Sequence, residues 1–92
     1  MKLFKSIDER FAEIGFVKVK ENEYGADYER ITKHGYVLCL DLVRKASGRH
    51  IIQSYEKGVN KDGFNNCVGI SMYEAKLCRK KMKRMGWKEK KA

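Results

Sequence analysis

Ninety-two residues, 42% of them hydrophobic and ten of them aromatic, are enough for one compact core and too few for a second, and they exclude a globally disordered chain. The formal charge is +9, from 21 Lys and Arg against 12 Asp and Glu, and no run of about 18 apolar residues exists, which excludes a membrane-spanning helix. Three cysteines without paired spacing argue for reduced thiols, and the opening MKLFKSIDERF lacks the apolar stretch of a signal peptide, so the expectation is a soluble intracellular protein.

Phe4, Ile7, Phe11 and Ile14 recur at helical spacing, and Gly15 follows where a left-handed stop residue sits; this predicts a helix over 3–14. Four segments of period-two character come next, over 16–20, 26–33, 36–44 and 49–56. They are separated by turns at 21–25, at His34-Gly35 and at Ala46-Ser47-Gly48. In the third segment Tyr36, Leu38, Leu40 and Leu42 share one face, and Val37, Cys39, Asp41 and Val43 the other. Apolar residues on both faces predict a central strand covered on at least one side. Short turns between consecutive strands predict an antiparallel meander.

Residues 57–70 are rich in glycine and asparagine and read as a loop. Ser71 opens a second helix, with Glu74 three residues on completing a capping box; the helix is predicted to run to Met85, Gly86 to end it and Trp87 to fold back as an apolar cover. The KEKKA tail is predicted to fray. The expected architecture is therefore α+β: helix, four-stranded antiparallel meander, helix, with both helices on one face of the sheet. Residues 1–87 form the single domain and 88–92 a basic tail.

The surplus charge is local. From Lys76 to Lys91 there are nine Lys and Arg against Glu89, whereas the first 75 residues carry twelve basic and eleven acidic residues. On the second helix Ala75, Cys78, Met82 and Met85 fall within one arc, while Lys76, Arg79, Lys80, Lys83 and Arg84 fall on the opposite one. These five cations, with Lys88, are the candidate binding residues: an exposed cationic helix face can touch several phosphates and release their counterions. The competing interpretation is a solvated face that keeps a small protein in solution. Lysines hold phosphate backbones rather than read bases, so sequence-specific recognition is not implied. Tyr24, Tyr28, Tyr36, Tyr55 and Tyr73 would serve as stacking platforms wherever they face solvent.

Cys39, Cys67, Cys78, His34 and His50 form no pair with zinc-ligand spacing. Asn60, Asp62 and Gly63 faintly suggest a calcium loop, but the register puts Gly58 and Gly69 where acidic ligands belong. No metal or cofactor is expected. His50, beside Arg49 after a glycine turn, is the one residue placed to act as acid or base in phosphodiester cleavage, although no serine or cysteine nucleophile is paired with it.

The helix closed by Ile14-Gly15-Phe16, the Tyr-rich meander and the ending Ile70-Ser71-Met72-Tyr73-Glu74 through Met85-Gly86-Trp87 resemble small accessory proteins of phages and prophages of Gram-positive bacteria. That resemblance implies a non-enzymatic protein in the cytoplasm of a bacterial host, one that binds and modulates or inhibits a nucleic-acid-handling or defence complex. Gly69, Ser71, Ala75 and Lys76 are similar to the motif opening the second helix of double-stranded RNA-binding domains, with Met72 and Tyr73 standing where two lysines are expected. A third resemblance, to small ribonuclease toxins, would give His50 the catalytic role. The expected partner is an acidic host protein or nucleoprotein complex, or nucleic acid itself, with no membrane. Lys18 and Lys20 guard the first strand as an edge, which favours a monomer over an edge-paired dimer.

Overall fold

The computed structural model describes residues 4–57 and 66–90. In chain order these form α1 (Ile7–Glu13), β1 (Val17–Asn22), β2 (Gly25–Ile31), β3 (Val37–Val43), β4 (Ile51–Lys57), β5 (Asn66–Cys67) and α2 (Met72–Arg84). The strands make one sheet in the order β1-β2-β3-β4-β5, every neighbouring pair antiparallel. The fold is α+β with a meander, as the turn spacing predicts, and it has a fifth strand.

That strand lies in the stretch read as a loop. Asn66 and Cys67 pair with Glu56 and Tyr55, and the Val68 N–H donates to the Ser54 carbonyl at 3.0 Å. Two residues are too few for alternation to signal a strand; the free edge of β4 supplies the pairing. Residues 58–65, which include Asn60, Asp62 and Gly63, lie outside the described residues.

The first helix is shorter than its stripe suggests. The Ser6 hydroxyl accepts from the Glu9 N–H at 3.1 Å, which sets the helix start at Ile7. Phe4, predicted to open the stripe, falls before the cap and is 83% exposed, whereas Phe11 is fully buried.

The core lies between the helices and one face of the sheet. Register places Ala26 and Tyr28 of β2 opposite Leu42 and Leu40 of β3, and these in turn opposite Ile52 and Ser54 of β4. Ala26, Tyr28, Leu38, Leu40 and Leu42 form one cluster with Phe11 of α1, Leu77 and Cys78 of α2, and Trp87. The Phe11 and Tyr28 rings stand 4.2 Å apart. The opposite face carries Asp27, Glu29, Cys39, Asp41 and Tyr55, with no helix over it among the described residues.

The second helix starts as predicted. Ser71 and Glu74 complete the reciprocal capping box, Ser71 Oγ accepting at 3.1 Å and Glu74 Oε1 at 2.7 Å. Gly86 takes φ +81°, and the Trp87 N–H returns to the Met82 carbonyl at 3.1 Å. Trp87 is thereby folded against the core, 7% exposed, with its ring 5.1 Å from that of His50.

The basic tail does not fray at its start. The Lys90 N–H donates to the Gly48 carbonyl at 2.8 Å, and His50 Nε2 lies 2.8 Å from the Lys88 carbonyl. Gly48 has φ +83°, and a Cβ there would come within 3.0 Å of Lys90 Cβ, so the tail crosses a turn that glycine keeps low. Residues 91–92 lie outside the described residues.

Candidate anion-binding interface

Along α2 the buried side comprises Leu77, Cys78 and Lys81, flanked by half-buried Ala75, Met82 and Met85. Lys76, Arg79, Lys80, Lys83 and Arg84 all lie on the exposed side, and Lys88 is exposed beyond the helix. The helical period thus places the five predicted cations together, and among the described residues none of the six makes an ion pair. Of the acids on the helix side, Glu13 is paired with Lys5, and Glu74 with Arg30 and the helix cap; Glu89 lies beside the cations without an ion pair among the described residues.

Lys81 is the exception in this cation run. Its side chain is 10% exposed, with Nζ 2.6 Å from Glu21 and 3.2 Å from Asp8. Tyr28 donates to Asp8 at 2.6 Å, and Lys18 reaches both carboxylates, at 3.0 Å and 3.1 Å. Burial works to raise the Asp8 carboxyl, but the bonds from Tyr28, Lys18 and Lys81 outweigh it and hold the group below its usual range. The Lys81 hydrogen bond is the main cause that lowers Glu21. Burial, reinforced by Asp8, pushes the Tyr28 hydroxyl far upward.

A groove of about 640 Å³ runs beside the exposed face of α2. One wall is Arg79, Lys80 and Lys83; the other is Arg49, just before β4, with Glu89 and Lys90 of the tail. Ile52, Met82, His50 and Trp87 complete its lining. A second, shallower trough on the other side of the helix is lined by Lys5, Ile7 and Arg10 together with Lys80, Lys83 and Arg84. Lys80 and Lys83 therefore border both depressions. Arg49, Lys90 and Arg10 are additions to the predicted set, and no local pattern marks them. They join only because α1 packs beside α2 and Trp87 draws the tail onto the β3–β4 turn. Of the predicted residues, Lys76 lies towards the other end of α2, beside exposed Met72 and Tyr73, and Lys88 flanks the tail's outer side.

His50 is held at both ring nitrogens. The Lys45 N–H donates to Nδ1 at 3.0 Å, which assigns the ring proton to Nε2 for donation to the Lys88 carbonyl. Its evident work is to tie the tail to the turn. Tyr28 is buried and Tyr55 donates to Asp41 at 2.8 Å; Tyr24, Tyr36 and Tyr73 are 68%, 47% and 44% exposed, and of these only Tyr73 lies on α2. Cys39 and Cys78 are buried, and burial, with Glu74 a lesser cause, pushes the Cys78 thiol up to about 12. Among the described residues no group of three or more His, Cys, Asp or Glu could hold a metal ion. No helix of the described residues is long and apolar enough to cross a membrane. Comparison with known proteins gives no match to a family model, a curated protein or a solved structure, so the functional reading rests on this geometry.

Proposed function

We propose that this protein is a non-enzymatic binding protein that seats the cationic face of α2 on an anionic surface of a nucleic-acid-handling or defence complex, and so modulates or inhibits it. The observation that carries this reading is the concentration of Lys76, Arg79, Lys80, Lys83, Arg84 and Lys88 on and just beyond the exposed side of one helix, all six without an ion pair among the described residues. Unpaired cations on one rigid helix keep their full attraction for a partner and hold few side-chain contacts that binding must break. The partner chemistry is an acidic protein or nucleoprotein surface, and the cytoplasm of a bacterial host, with a phage or prophage origin, is the setting the resemblance proposes. The protein acts as a monomer in this reading: β1 presents an irregular register between Lys18 and Lys20, which discourages edge pairing.

A second reading, direct contact with nucleic acid, is favoured by the apolar lining of the groove beside α2, which a purely electrostatic partner leaves unused. Both readings share one test. Retention on phosphocellulose is expected to fall steeply with salt and to be lost in a Lys80→Ala/Lys83→Ala/Arg84→Ala variant that keeps the wild-type circular dichroism. Unchanged retention in that variant refutes the role of α2.

A further inference from the structure

The groove between α2 and the start of β4 combines two features that a solvated charged face does not need. Its lips are cationic on both sides, Arg79 and Lys83 on the helix and Arg49 and Lys90 across from them, and between them lie Ile52, Met82, His50 and Trp87. At about 640 Å³ it is within the roughly 300–1,000 Å³ range of small-ligand sites. From this we infer that the groove is a binding site for single-stranded nucleic acid, the bases lying on the apolar floor and the phosphates on the two lips. The inference rests on the reading that α2 faces an anionic partner and names that partner's class.

The choice of a single strand follows from the floor. A duplex offers the lips its phosphates but keeps its base faces stacked inside, so Ile52 and Met82 would gain nothing from it. An unpaired base is flat and apolar on both faces and stays within one nucleotide of a phosphate, which matches an apolar strip with cations on either side. Two guanidinium groups, Arg49 and Arg79, suit phosphate oxygens by their planar donor fork. The indole of Trp87 is 7% exposed, so most of the apolar contact falls to half-buried Ile52 and Met82, with the indole reporting on it. Glu89 on the rim is the one acid in the lining and sets a modest charge against the cations.

Trp87 is the only tryptophan of the chain, so its fluorescence reads this groove directly. Titration with a short oligouridylate is expected to change Trp87 emission, with log K falling against log salt at a slope of about −3, from four phosphate contacts at 0.7 each. Arg49→Ala is the discriminating variant, because Arg49 lies off α2 and its side chain makes no ion pair or hydrogen bond among the described residues; its backbone bond to Ser47 survives the change. It is expected to weaken oligouridylate binding about tenfold and to reduce the slope by about 0.7. A blunt RNA duplex of the same length is expected to leave Trp87 emission unchanged. If oligouridylate binds with Trp87 silent and Arg49→Ala without effect, the groove is overturned while the α2 face stands. Binding of the duplex as tightly as the single strand also overturns it. If neither nucleic acid binds and polyglutamate is held by wild type but not by the triple-alanine variant, the partner is acidic protein and the single-strand assignment fails.

Discussion

Asp8 of α1, Glu21 of β1 and Lys81 of α2 come from three elements and meet beside the buried Tyr28 hydroxyl. Lys81 is nearly enclosed, whereas Asp8 and Glu21 are about one third exposed, at 32% and 34%. Lys81→Met keeps the packing volume and leaves two carboxylates close together with Lys18 alone to balance them. Breaking a fully buried pair costs about 3–5 kcal/mol; the partial exposure here brings the expected loss to about 2 kcal/mol, measured by urea unfolding. The sign of the pH effect follows from the direction of the shifts. Asp8 and Glu21 are held below their ordinary values of 3.8 and 4.5, so their stabilisation is complete above those values and is lost as pH falls through the lowered ones. In Lys81→Met the two groups are lowered less, so stability is expected to depend less steeply on pH below about 4.5. A dependence as steep as in wild type shows that Lys81 does not hold them. This seam was not legible in the chain. Lys81 reads as one cation of a run, and the helical period places it on the buried side without saying what meets it; its partners are 60 and 73 residues away, a juxtaposition only the packed helices and β1 create.

At the scale of the elements, legibility followed the length of the pattern. Helix α2 was readable at both ends because Ser71, Glu74 and Gly86 act locally, and its two faces because thirteen residues sample the period several times. The alternation of β3 gave both faces of the sheet, Leu38, Leu40 and Leu42 towards the helices and Cys39, Asp41 and Val43 away. What failed was short or borrowed: β5 exists through its neighbour's free edge, and α1 lost its first turn to the Ser6 cap. The face of the sheet that no described helix covers holds a like-charge pair, Asp27 directly opposite Asp41. Burial is the main cause that raises the Asp41 carboxyl, with Asp27 adding to it against the lowering bond from Tyr55. A carboxyl raised on folding is worth most to stability in its protonated form and progressively less as pH rises through its folded value. Asp41→Asn keeps an acceptor for Tyr55 and removes the repulsion, so it is expected to stabilise the protein at neutral pH by about 0.5–1 kcal/mol in thermal unfolding, and not at low pH. Destabilisation at neutral pH would mean that the Tyr55 bond needs the charge.

Across the described residues, the exposed cations of α2 sit on the helix side, and Asp27, Glu29 and Asp41 on the opposite face of the sheet. A protein so polarised turns its helices towards a polyanion before contact, which raises the rate of productive encounter at low salt. The proposed binding surface and the stabilising seam are separate, since the six exposed cations take no part in the Lys81 cluster. The three thiols differ in access: Cys39 and Cys78 are sealed, and Cys67 on β5 is exposed. An alkylating reagent should therefore add one adduct per native molecule and three after denaturation, counted by intact mass. The second and third adducts then keep time for global opening, and their early arrival in native buffer would reveal an interior that breathes without melting.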